Sequence, residues 1–168
     1  MQNERSKNHN TFQFINLQLI LFYTLLKINS ISISNGKNYY FPKEFVLNLK
    51  TVLENENVKK VGFDVKSEYH LLMNNGFNPK GVDYDVLLAS YVKDPSRKHT
   101  LDAQALDYLD HIMVNNDNPE ELACDEAWTI YQLYDYWTKN LEEKEQKLVN
   151  DIEIPLTKVL AEMEYTGV

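Results

Sequence analysis

The sequence predicts an α/β domain in which strands come first and the C-terminal half is helical. Three observations carry that reading. Ser30-Ile31-Ser32-Ile33-Ser34 alternates with the two-residue period of a strand. Lys59 to Asp64 is a second short apolar run, with Val61 and Phe63 on one side, and it follows a helical pattern. From Thr100 onward, apolar residues recur mostly at three- and four-residue steps.

Each element has a local reason. Asn35-Gly36 after the alternating run is a hairpin signal, and Lys37 to Phe41 reads as the return strand. Pro42 opens a predicted helix with Val46, Leu49, Val52 and Leu53 on one face. After the Lys59–Asp64 strand, Ser67 or Lys66 starts a helix through Leu71, Leu72 and Met73, and Asn75-Gly76 stops it. Pro79-Lys80-Gly81 reads as a turn. Asp85 is placed to cap a helix from Val86 to Val92, which must end before Pro95. Thr100 begins a short helix through Leu101, Ala105, Leu106 and Leu109, and Asn115 to Pro119 is a polar loop. A long helix is predicted from Glu120 to Asn150, with Ala123, Ala127, Ile130, Tyr134, Trp137 and Leu141 along one seam. Pro155 is expected to break it, Leu156 to Glu164 to form another helix, and Gly167 to stop that one.

The chain has 168 residues, enough for one domain with a hydrophobic core. Its net charge of −8 argues against holding nucleic acid mainly by neutralising phosphates, because such proteins are usually basic. Contact with nucleic acid would need a local basic patch or metal ions. A single cysteine, Cys124, excludes an internal disulfide and reads as a small buried helix residue. Phe12 to Leu26 is uncharged and follows Arg5 and Lys7, like a secretory signal. Gln13, Asn16 and Gln18 interrupt it, no A-x-A-like site follows, and it is shorter than the roughly 20 apolar residues of a spanning helix. It reads as a buried strand or a poorly defined leader, and a cytoplasmic location is expected.

Four segments in order carry a family resemblance. They are Lys60-Val61-Gly62-Phe63-Asp64-Val65-Lys66, Gly81-Val82-Asp83-Tyr84-Asp85 through Tyr91, the helix holding Cys124-Asp125-Glu126-Ala127, and Glu153-Ile154-Pro155-Leu156 through Val168. From about Ile31 the chain resembles the 3′–5′ exonuclease domain of family A (polymerase I-type) DNA polymerases. The resemblance implies an RNase H-like fold, a mixed sheet flanked by helices. It also implies domain bounds: a poorly defined segment over 1–27, the exonuclease-like domain over 28–150, and over 151–168 the start of a linker to a polymerase domain. No polymerase domain follows Val168 in the sequence, so a truncated fragment is expected.

The family's activity is metal-dependent removal of nucleotides from a single-stranded DNA 3′ end, in replication and repair. Such chemistry needs a nest of carboxylates holding two ions about 3.5–4 Å apart. The family supplies an Asp-x-Glu on the first strand, an Asp after the second-motif strand, and a Tyr-x-x-x-Asp on the long helix. Here Glu4 is the only acid ahead of Glu44, so the first motif is absent. Asp151-Ile152-Glu153 has the right spelling but lies in the linker-like segment. Glu68 stands at the second-motif position, one methylene longer than Asp. The third motif reads Glu121-x-x-x-Asp125, keeping the acid and losing the Tyr.

The resemblance therefore makes Glu68 and Asp125 the vestigial catalytic and metal candidates, with Asp85 and Glu121 as further metal candidates. Each has a structural reading too: Glu68 favours the start of a helix dipole, and Asp85 caps its helix. Lys66, Arg97 and Lys98 are the candidates for contact with nucleic acid. Tyr91, Trp128 and Trp137 read as core, and His70, His99 and His111 lack ligand spacing. Mg²⁺ or Mn²⁺ is the cofactor if the chain is active, and none if it is not. The expected function is an impaired exonuclease domain of a family A polymerase. The alternative is a non-enzymatic structural or nucleic-acid-binding module that packs against a polymerase domain.

Overall fold

Five strands form one mixed sheet in the order β3-β2-β1-β4-β5. The computed structural model describes residues 17–24, 27–34, 37–115 and 117–167. Strands β1 (Leu17–Thr24), β2 (Lys27–Ser34) and β3 (Asn38–Pro42) are antiparallel neighbours, with Ile31 opposite Phe41 and Leu21 opposite Ile31. Strands β4 (Lys60–Gly62) and β5 (Val82–Asp85) run parallel to β1 and extend the sheet on its other side. The apolar stretch near the N-terminus thus supplies the central strand. The Asn35-Gly36 turn and the residues before Leu17, including Phe12 to Asn16, lie outside the described residues.

Strand β5 falls where the sequence suggested only a turn and a helix start. Gly81 makes this possible: its φ is 76°, and a Cβ there would meet the Val58 carbonyl oxygen at 2.5 Å. The preceding turn is also held from within. Lys60 is buried and its ammonium donates to the Asn55 and Val58 carbonyls at 2.8 and 2.7 Å. Burial lowers its pKa to about 8.

Two apolar cores flank the sheet. One gathers Val46, Leu53, Val65, Tyr69, Leu71, Leu72, Phe77 and Ala161. Lys43–Leu49 and the short α1 (Lys50–Leu53) enter it, but most of the helix predicted after Pro42 is the tighter 3-10 form. α2 (Val65–Asn74) contributes Tyr69, Leu71 and Leu72 to this core and ends at Gly76 with φ 81°. The other core gathers Val61, Tyr84, Val86, Ala89, Ala127, Ile130, Leu133, Trp137 and Val149. It joins α3 (Val86–Lys93) and α5 (Pro119–Asn140), and α4 (Leu101–Leu109) packs against α5. The seam read along α5 is the buried one: Ala123, Ala127, Ile130 and Trp137 are almost wholly enclosed. Buried Gln104 accepts from the Trp137 indole at 3.1 Å and donates to the His99 carbonyl at 3.1 Å.

The single long helix expected from Glu120 to Asn150 is instead divided. Leu141 turns to an extended conformation (ψ 142°) and is buried, and the Glu142 amide donates to the Glu145 carboxylate at 2.7 Å to start α6 (Glu143–Leu148). Pro155 does not break the chain's helical path. Val149–Glu153 widens into a π-helical turn, and α7 (Ile154–Thr166) continues from it with Pro155 in its first turn. Gly167 closes α7 with φ 82°. α7 lies on α2, with Ala161 fully buried between them and Lys66 paired to Glu164 at 2.6 Å. Three expectations about packing are corrected: Tyr91 is 47% exposed, stacked on His99, and Trp128 and Cys124 are only half-buried. Among the described residues no helix is long and apolar enough to cross a membrane.

Candidate functional site

Asp85 ends strand β5 and opens α3, and its carboxylate serves two helices at once. It accepts from Leu87 and Leu88 amides at 2.9 and 3.4 Å, capping α3. It also accepts from the Asp64 and Val65 amides at 3.2 and 2.8 Å, at the N-terminus of α2. Asp64 reaches this contact by adopting the left-handed region, φ 57°, unusual for a residue with a Cβ. Its own carboxylate accepts from the Ser67 hydroxyl at 2.7 Å. Burial pushes the Asp85 carboxyl up to about 6, while the Val65, Leu87 and Leu88 amides pull it back.

Glu68 lies one turn into α2 and is 9% exposed. Its carboxyl folds back over Gly62 of β4. Burial first, and the charges of Asp85 and Asp64 after it, hold this carboxyl well above the ordinary range, against a backbone hydrogen bond at Phe63. Glycine is required at 62 by this packing, since a Cβ would overlap the Glu68 carboxyl and meet the Val65 side chain at 2.8 Å. Gly62→Ala is expected to cost about 1–3 kcal/mol in a urea titration. Pairing it with Glu68→Ala should restore part of that loss. Equal loss in the single and double variants would show that Glu68 does not set the limit.

Asp125, on the second turn of α5, is held differently. One oxygen faces His111 Nε2 at 2.9 Å, and the other accepts from the Val114 amide at 2.7 Å. The carboxylate thereby pins the segment after α4 onto α5, and the His111 ring stands edge-on to Trp128 at 4.9 Å. Neighbouring Glu126 is pushed up to about 7 by burial and then by the Asp125 charge. Both His111 and Glu126 line a cleft of about 500 Å³ with Leu101, Leu106 and Met113. In the sequence His111 has no ligand spacing, and Glu126 falls in a matched segment without a role of its own. His111 meets Asp125 only through an irregular loop that no periodicity describes.

The structure brings Glu68, Asp85 and Asp64 into one electrostatic neighbourhood and engages Asp125 in another. Among the described residues no group of three or more His, Cys, Asp or Glu side chains is placed to hold a metal ion. Glu121 is exposed at the start of α5. The cationic candidates are paired: Lys66 with Glu164 at 2.6 Å, Arg97 with Asp107 at 3.2 Å and Asp94 at 3.4 Å, and Lys98 with Asp102 at 3.7 Å. Among the described residues, Glu68 with Asp85 and Asp125 with His111 form two separate groups rather than one carboxylate nest.

Residues 21–118 match the family described as the ribonuclease H-like domain of DNA polymerase I. The DNA polymerase I of Borreliella burgdorferi is 32% identical over 165 residues, covering 83% of this chain and 18% of that protein. That of Bacillus subtilis is 31% identical over 150 residues, covering 77% and 17%. The chain thus spans under a fifth of the length of these relatives. Among solved structures, the polymerase domain of Mycobacterium smegmatis Pol1, in complex with DNA primer-template and dNTP, superposes with a TM-score of 0.78 at 23% identity, over 90% of this chain and 28% of that one. Brucella melitensis NrnC with bound Mg²⁺ does so with a TM-score of 0.78 at 14% identity, over 94% and 89%. At those identities the likeness speaks for the fold alone. With residues 21–118 matched by the family model and relatives above 30% identical over more than three-quarters of the chain, the chain belongs to the ribonuclease H-like domain family of DNA polymerase I, that of its 3′–5′ exonuclease domain.

Proposed function

We propose that this chain is a proofreading-type exonuclease domain of DNA replication and repair that has lost efficient metal-dependent hydrolysis. The observation that carries the reading is the donor set. Strands β1 to β3 contain no Asp or Glu. Asp125 spends its two oxygens on His111 and Val114. Burial and the Asp85 charge raise the Glu68 carboxyl, which works against the ionised form a cation needs. Mg²⁺ or Mn²⁺ would supply hydroxide generation and leaving-group stabilisation in an active relative, and Glu68, Asp125, Asp85 and Glu121 are the residues left to hold it. DNA with a single-stranded 3′ end is the proposed partner, with Lys66, Arg97 and Lys98 as its phosphate contacts after exchange of their present acids.

The test uses the purified chain with a 5′-labelled single-stranded oligonucleotide and either ion at millimolar concentration. The expected outcome is no shortening beyond that of an Asp125→Ala control, and no saturable ion binding by calorimetry. Robust degradation that Asp125→Ala abolishes overturns the proposal.

A second reading is favoured by the outer face of α7. Leu156, Val159, Leu160 and Met163 are 43%, 50%, 39% and 41% exposed, an apolar stripe that water disfavours. In this reading the segment 151–168 leads toward a polymerase domain, the body of the domain is 28–150 with 1–27 ahead of it, and the chain is a packing module. A compact, stable monomer in sizing chromatography, with no partner present, counts against it.

A further inference from the structure

We propose that the cleft of about 900 Å³ along strand β5 binds a phosphate monoester that carries a flat ring, of the size and charge of a nucleoside monophosphate. The cleft is separate from the carboxylates discussed above: none of Glu68, Asp85 or Asp125 lines it. Its size falls in the range of about 300–1,000 Å³ common to small-ligand sites.

Charge points to an anion. The chain carries −8, yet Lys59, Lys80 and Lys158 converge on this one cleft. Lys59 is neutralised by Asp83 at 2.6 Å. Lys158 is only loosely paired with Glu162 at 3.8 Å, and both side chains are 57% exposed. Lys80 is half-buried and has no ion pair among the described residues. Its backbone is fixed, its amide donating to the Leu53 carbonyl at 3.1 Å, and the next residue is the constrained Gly81. An ammonium rising from a rigid strand start is a prepared point charge for phosphate.

The walls suit a ring. Tyr134 of α5 is half-buried and stands edge-on to Tyr84 of β5, centroids 5.3 Å apart. Tyr84 is itself enclosed and donates to the Gln146 side-chain carbonyl at 3.3 Å, so Tyr134 is the aromatic surface left for a ligand. The π-helical turn Val149–Glu153 forms part of the wall and presents the exposed Asn150 amide to it. Such turns recur at functional sites.

The charge balance also sets the class. Asp83 offsets Lys59 and Glu162 stands 3.8 Å from Lys158, so Lys80, with Glu56 as the cleft's other acid, is the lysine here without an ion pair among the described residues. One such lysine suits a single phosphate, which carries about −1.5 to −2 near neutrality, better than a polyphosphate.

The proposal is independent of whether metal chemistry survives at Asp125. The test is titration of the full chain with adenosine monophosphate, adenosine and inorganic phosphate, followed by amide NMR shifts. Saturable shifts around Lys80, Tyr134 and Asn150 are expected with the monophosphate, and at least about tenfold weaker binding of either half alone. Lys80→Glu and, separately, Lys158→Glu should weaken the monophosphate by about tenfold or more without moving the thermal midpoint. Three outcomes would each overturn the proposal. They are no saturation at millimolar ligand, shifts centred on Asp125 and Glu126 instead, and binding indifferent to both lysine variants.

Discussion

Asp85→Ala is expected to lower the unfolding free energy by about 3–5 kcal/mol, the range for stripping the partner from a buried hydrogen-bonded network. The carboxylate is 2% exposed and holds the amides of Asp64, Val65, Leu87 and Leu88. Alanine would leave them buried at the meeting point of two helix N-termini, where the dipoles add to the cost. Asp85→Asn keeps one carbonyl oxygen but turns an NH₂ toward donors, so its loss should be smaller. Urea titration without divalent ions separates the roles. A residue whose main duty was to hold metal could be removed from the ion-free protein with little loss, and a change below about 1 kcal/mol would sink the structural role argued here.

What the sequence made legible follows the range of the interaction. Asp85 as a cap, Gly76 and Gly167 as helix stops and the α5 seam are local, since each depends on residues a few positions apart. Strand β5 was not legible: its pairing with β4 spans a whole helix, and Val82-Asp83-Tyr84-Asp85 is too short to show a period. The break at Leu141 had no Gly or Pro to announce it, because burial of Leu141 and the Glu142–Glu145 contact produce it. The candidate site divides the same way. Motifs nominate Glu68 and Asp125 as candidates, but they do not give the surroundings of either. The fold of Glu68 over Gly62 and the grip of His111 on Asp125 are tertiary facts.

The pH dependence of stability should run opposite to that of a protein held by surface ion pairs. Asp85 and Glu126 sit at about 6 and about 7 in the folded chain, raised by burial from ordinary values near 4. The folded state therefore keeps protons that the unfolded state has released. Their stabilising contribution is complete below the unfolded values and is lost as pH rises through 6 and 7. Glu68, raised by the same burial, adds in the same direction. Lowering the pH also relieves the repulsion of a chain at −8. Lys60, at about 8, acts mainly above this window, where rising pH relieves the cost of its buried charge. On the acid side, Asp94, Asp102, Glu145 and Glu164 are held low by Ser96, Thr100, the Glu142 amide and Lys66. Their contribution fails only as pH falls below the ordinary carboxylate range. Stability should thus peak near pH 5, about 2–4 kcal/mol above its value near pH 7.5. Urea midpoints across that range measure it, and Glu126→Gln should flatten the slope between about pH 6 and 7.5. A midpoint that rises steadily from acid to neutral would mean that these carboxyls are ionised in the fold, and with Glu68 ionised one obstacle to holding a metal ion would be gone.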